Sequence, residues 1–125
     1  RPDKVSEWFS GSSAALTLSV AAPLLHTRTR PSAFEDWARA SGCPLPAGPS
    51  RRFEHFYFSL QAAVAGLGVA IGPWHLVRDD IDAGLLAAPL GFVEDGSRYC
   101  LLAPQPIAAE SLEARLVQWL RAQGA

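Results

Sequence analysis

Residues 52–73 read RFEHFYFSLQAAVAGLGVAIGP, and the fold is decided there. Residues 52–55 alternate and are β-compatible. Residues 57–65 hold good helix formers, with Leu60 and Val64 one turn apart on a shared face. Gly66 supplies the left-handed residue that commonly closes a helix. Residues 69–71 are a short apolar β run, ended by Gly72 and Pro73. Two strands joined by a helix of this length predict a right-handed βαβ crossover, hence a parallel pair buried on both faces.

Working outward, residues 24–29 alternate in a strand-like way. Ser32-Ala33-Phe34-Glu35 has the pattern of a capping box, in which the Ser oxygen accepts from the Glu amide and the Glu carboxylate reaches back. A helix is expected over residues 33–41, burying Phe34 and Trp37 and stopping at Gly42. Residues 43–50 form a Pro/Gly loop. Beyond the central unit, residues 74–83 read as a helix, with Val77 and Ile81 at i, i+4 and Gly84 as its end. Residues 85–90 and 98–103 read as short strands around a polar turn at 91–97. Residues 109–123 give the clearest amphipathic helix: Leu112, Leu116 and Leu120 stack on one side with Val117 beside them, opposite Glu113, Arg115, Gln118 and Arg121. Alternating strands and helices mean an α/β class with a mostly parallel sheet flanked by helices. Residues 1–22 are the least readable. Trp8 and Phe9 want burial, residues 11–13 read as a loop, and residues 15–20 suit strand or helix.

Length and composition bound the function. A chain of 125 residues has room for one small domain or one lobe of a larger one. Its apolar fraction of 49% is that of a globular chain. Charged residues make up 18%, against the usual ~25%, which fits a surface partly covered by another lobe or subunit. The net charge of −1 and the lack of a basic block argue against a grip on a phosphate backbone by this segment. No apolar run has the length of a membrane span, and the first residues lack a signal-peptide core. Cys43 and Cys100 are unpatterned, as expected of reduced cytosolic thiols. Methionine is absent even at position 1, so the chain reads as a piece of a longer protein.

Two separated blocks, PLLHTRTRPSAFEDWARASG at residues 23–42 and LQAAVAGLGVAIGP at residues 60–73, agree in order and spacing with one family. Together they resemble the effector-binding domain of LysR-type transcriptional regulators, in the branch of the glycine-cleavage activator and the β-lactamase regulator. The resemblance runs from about residue 23 to the C-terminus. It implies a two-lobed, periplasmic-binding-protein-like domain. By it, residues 23–90 are the second lobe and residues 91–125 the return segment and C-terminal helix of the first. Residues 1–22 are then a linker or a first-lobe remnant. It further implies a cytoplasmic protein that assembles as homodimers or tetramers and reaches DNA through a helix-turn-helix not contained in this chain.

The best ligand candidate is the segment from His26 to Pro31, which runs from a strand into the helix at Ser32. In open α/β sheets small molecules bind off the carboxyl ends of strands, near helix N-termini. Thr27, Arg28 and Thr29 offer hydroxyls and a guanidinium there, with Arg30 and the first-turn amides beside them, and could hold a carboxylate. The competing reading is a solvated edge whose arginines pair with Glu35 or Asp36. One unit later, Phe53, His55 and Phe56 occupy the equivalent strand-to-helix turn and should face the same cleft, with Phe53 and His55 on one side. The plainer alternative places at least two of Phe53, Phe56 and Phe58 in the core and leaves Glu54 as a helix cap.

Other constellations fail. Gly66 and Gly68 follow a helix and precede a strand, the wrong order for a phosphate loop, and read as a helix stop and a tight packing point. His26, His55 and His75 lack metal spacing, Asp79, Asp80 and Asp82 read as a solvated helix face, and no nucleophile and base can be paired by spacing. No enzyme, cofactor or metal is expected. A periplasmic-type solute-binding protein of a transporter, which shares the two-lobed architecture, is the alternative to the regulator.

Overall fold

The computed structural model describes residues 1–12 and 15–124; part of the loop expected at residues 11–13 lies outside them. The chain divides into two compact units, residues 1–95 and residues 96–125.

The larger unit is built on β3 (Leu24–Thr27), β4 (Ser50–Phe53) and β5 (Val69–Ala70), with a separate hairpin of β1 (Phe9–Ser10) and β2 (Thr17–Leu18). The sheet order is β4-β3-β5 and both pairings are parallel. The central crossover therefore links two parallel strands that flank β3 without pairing with each other. This corrects the expected adjacent pair. The central strand β3 is sandwiched on both faces, whereas Ser50, Arg51 and Arg52 of β4 are exposed.

β3 shows why four residues suffice. Successive side chains of a strand point to opposite faces, and each face meets its own cluster. Leu25 packs with Leu60, Ala62, Ala63, Val77 and Leu86, supported by Phe53 and Ala70. Leu24 packs with Trp8, Leu18, Ala22 and Phe34, supported by Val69 and Ile71. The first cluster is covered by α3 (Phe56–Val64) and α4 (Trp74–Asp82), the second by α2 (Ala33–Ser41) and the N-terminal segment, where α1 (Val5–Trp8) delivers Trp8. Residues 1–22, unreadable in isolation, thus supply three buried members of one layer.

Helix ends follow the glycines. Gly42, Gly66 and Gly84 all take positive φ, at 71°, 80° and 72°, which costs glycine little. Gly68 is different: a Cβ there would lie 2.4 Å from the Pro23 carbonyl oxygen and 2.9 Å from Leu25, so the absent side chain lets β5 approach β3. The helix-stop and packing-point roles read from the sequence are the ones found.

Three local expectations fail, each for a physical reason. The Ser32 capping box does not form, because Ser32 sits at φ −93°, ψ 7° rather than in the extended region usual for an N-cap. Its hydroxyl donates instead to Asp36 Oδ2 at 2.8 Å. Residues 85–90 form no strand: the Leu85 and Leu86 amides donate to the Asp80 carbonyl at 2.8 and 3.1 Å, closing α4 rather than a ladder. Residues 98–103 form none either, and Tyr99, Leu101 and Leu102 are exposed.

In the second unit, α5 spans Leu112–Gln123 and starts three residues later than its periodicity suggests. Glu110 has φ 64°, left-handed and incompatible with a helical turn. Ser111 then becomes the N-cap, its Oγ accepting from the Ala114 amide at 3.1 Å. The Glu113 carboxyl is held below the usual carboxylate range by its own amide and then by the Ser111 hydroxyl. Ser111→Ala is expected to destabilise α5 by about 1 kcal/mol, read as a smaller helical circular-dichroism signal; an unchanged signal would remove the cap's importance. No residue of α5 is buried, and Leu112 is 76% exposed.

Candidate functional site

Parallel strands place their carboxyl ends on one edge. Here β3 ends at Thr27, β4 at Phe53 and β5 at Ala70, and each is followed by a helix. The N-termini of α2, α3 and α4 therefore share that edge, and none has a side-chain cap bond: the N-cap residues are Ser32, His55 and Pro73. The Ala33, Phe58 and Leu76 amides donate to backbone carbonyls, and first-turn amides that lack such a partner are donors for an anionic or carbonyl group.

Thr27 and Phe53 are register partners, and the Arg28 amide extends the ladder by donating to the Phe53 carbonyl at 2.9 Å. Residues 28 and 29 turn sharply, bridging Thr27 to Arg30. Thr27 is 4% exposed, and its Oγ1 has no hydrogen-bond partner among the described residues. Strand alternation puts it on the same face as Leu25. A buried hydroxyl without a partner costs roughly 1–3 kcal/mol. Thr27→Val, which keeps the shape and removes the hydroxyl, is expected to stabilise the protein by about 1 kcal/mol, seen as a raised melting temperature. A lowered one would mean that the hydroxyl is already satisfied.

Arg28 Nη1 donates to Glu54 Oε1 at 3.1 Å, joining the ends of β3 and β4. Arg30 lies 3.7 Å from Asp95 Oδ2. The pairing of these arginines with Glu35 or Asp36 is thus corrected; Asp36 bonds Ser32 and Arg39. Neither Glu54 nor Asp95 was reachable from local spacing, since both partners come from distant segments.

Of the six sequence-predicted site residues, Thr27, Arg28 and Phe53 meet across two strand ends. His55, exposed, is the N-cap of α3 and Phe56 its first residue. Thr29 is exposed in the turn. Phe53 and Phe56 pack against the Leu25 cluster, whereas Phe58 is exposed. Two of the three phenylalanines are therefore core wall, as the plainer alternative held. Because β4 stops at Phe53, alternation does not carry on to His55. On the face opposite Thr27, His26 lies against Phe34, ring centroids 4.9 Å apart. An open groove lined by Arg1, Asp3, Val64, Gly84 and Leu85 lies by the C-terminal ends of α3 and α4 and contains none of the six. Among the described residues no group of three or more His, Cys, Asp or Glu could hold a metal, and no helix is long and apolar enough to cross a membrane.

A family model described as the LysR substrate binding domain matches residues 19–125. The chain belongs to that family. The LysR substrate-binding domain is periplasmic-binding-protein-like, and the parallel sheet flanked by helices accords with it. Relatives agree. The chain is 51% identical over 102 residues to the HTH-type transcriptional regulator TrpI of Pseudomonas aeruginosa, covering 81% of this chain and 34% of that protein. It is 30% identical over 96 residues to the HTH-type transcriptional activator AmpR of Rhodobacter capsulatus, covering 77% and 33%. A further relative, the uncharacterized HTH-type transcriptional regulator y4mQ of Sinorhizobium fredii, is 29% identical over 101 residues, covering 78% and 34%. The chain thus spans about a third of the length of the curated relatives it matches. No solved structure gives a significant match.

Proposed function

We propose that this LysR substrate-binding chain is the effector-sensing part of a bacterial DNA-binding transcriptional regulator, without catalytic activity of its own. The carrying observation is the buried Thr27 hydroxyl, without a hydrogen-bond partner among the described residues, at an edge where three strand ends meet three helix N-termini that lack a side-chain cap. That set of donors suits a carboxylate, and Thr27, Arg28, Thr29, Phe53, His55 and Phe56 are its proposed surroundings. Residues 23–90 are the second lobe, and residues 91–125 return toward the first. A cleft of that kind is completed by the other lobe, which is why one lobe presents a rim rather than a hollow. The exposed leucine stripe of α5 supports the same division, because an amphipathic helix needs a partner for its apolar face. Three relatives carrying HTH-type regulator names favour this reading over a transporter's solute-binding protein.

In the complete protein the effector would bias lobe closure or subunit packing, and it must bind one arrangement more tightly to transmit anything. Homodimers or tetramers in the cytoplasm, reaching DNA through a helix-turn-helix, complete the proposal. Within the family we place the chain in the branch of the glycine-cleavage activator, on residues 23–42 and 60–73. Calorimetric titration of the complete protein with a panel of small carboxylates tests the site. Saturable binding that weakens at least tenfold in both Arg28→Ala and Thr29→Ala is expected; unchanged affinity in both variants removes the site.

A further inference from the structure

Both arginines at the carboxyl edge are already partnered by carboxylates, Arg28 by Glu54 and Arg30 by Asp95. The edge is therefore not a bare cationic trap. The Arg28–Glu54 pair is the closer, and its geometry follows from the backbone. The Arg28 amide is bound to Phe53 O, so the next residue, Glu54, is brought opposite Arg28 by continuation of the β3–β4 register. The two side chains are 67% and 64% exposed, which leaves the guanidinium open to exchange of partners.

We infer that Glu54 is a specificity-determining residue, an internal competitor that an anionic ligand must displace from Arg28. The inference rests on the effector-site reading above. Its physical content is an exchange: a ligand oxyanion takes the Arg28 donors, and the Glu54 carboxylate returns to water. No covalent step is involved. A ligand offering further contacts, such as to the first-turn amides, then competes better than an anion that meets Arg28 alone. An exposed pair of this kind contributes little to folding, so its loss alters selectivity more than stability.

The test titrates inorganic phosphate into the complete protein, followed by phosphorus NMR, for the wild type, Glu54→Gln, Arg28→Gln and the double variant. Glu54→Gln is expected to bind phosphate roughly two- to fivefold more tightly, the range expected for removing one exposed ion pair. That gain should vanish in the Arg28→Gln background, which a merely structural effect of residue 54 would not do. Binding that needs Arg28 yet ignores Glu54→Gln overturns this inference and leaves the site standing. A gain that persists without Arg28 also overturns it. Binding that is absent throughout, or indifferent to Arg28, overturns both.

Discussion

Leu25→Ala is expected to lower the unfolding free energy by about 2–5 kcal/mol, the range for truncating a buried leucine in a core that cannot fully collapse. Leu25 is 1% exposed in the central strand of the sheet, which meets a cluster on each face, and it packs with Leu60 and Val77 of the covering helices. Its neighbours in the chain face the other layer, so the void cannot be filled by sliding the strand: a one-residue slip would exchange the two faces. Urea unfolding of the protein measures it. A loss below 1 kcal/mol would mean that β3 is not the shared centre of the two clusters.

The second large effect is expected at Gly68. Gly68→Ala places a methyl 2.4 Å from the Pro23 carbonyl oxygen, the acceptor of the Val69 amide bond at 2.8 Å that opens the β3–β5 ladder. Relief requires moving backbone, and overpacking of this kind costs about 1–3 kcal/mol. The two substitutions should be non-additive, because Leu25 supplies the second contact at 2.9 Å. Truncating Leu25 frees that contact and leaves the carbonyl clash, so the alanine at 68 should cost less, but not nothing, in the Leu25→Ala background. Full additivity in the double variant would show that the two sites do not touch.

Helices and their ends were legible because their signals are local. Leu60 with Val64, Val77 with Ile81, and a glycine after each helix specify α2, α3 and α4 to within one or two residues. Strands were legible only where a partner exists. Residues 24–27 pair with residues 50–53, a strand two residues earlier than the 52–55 expected, because the register with β3 begins at Ser50; residues 98–103 have the composition of a strand and no ladder, since composition does not supply a neighbour. The start of α5 was misplaced because periodicity continues through Glu110 while its backbone turns left-handed. The N-terminal segment was opaque for the opposite reason: Trp8, Leu18 and Ala22 gain meaning only against Leu24 and Phe34.

The site was legible as a place and not as a set of contacts. The strand-to-helix turns after Thr27 and Phe53 fall on one edge as topology requires. The Arg28–Glu54 bond joins residues 26 apart and depends on a parallel register that no local window encodes. Thr27's buried hydroxyl could have been suspected from the alternation Leu25, Thr27, and its want of a partner emerges only from the packing above it.

The outermost position of β4 has a bearing on how the protein behaves at high concentration. An unpaired rim of backbone amides and carbonyls invites the rim of another molecule, and stacked copies grow into fibres. Arg51 and Arg52 both lie solvated on that rim. Bringing two such rims together would set guanidinium against guanidinium, so the same short strand that completes the sheet also discourages its unlimited extension.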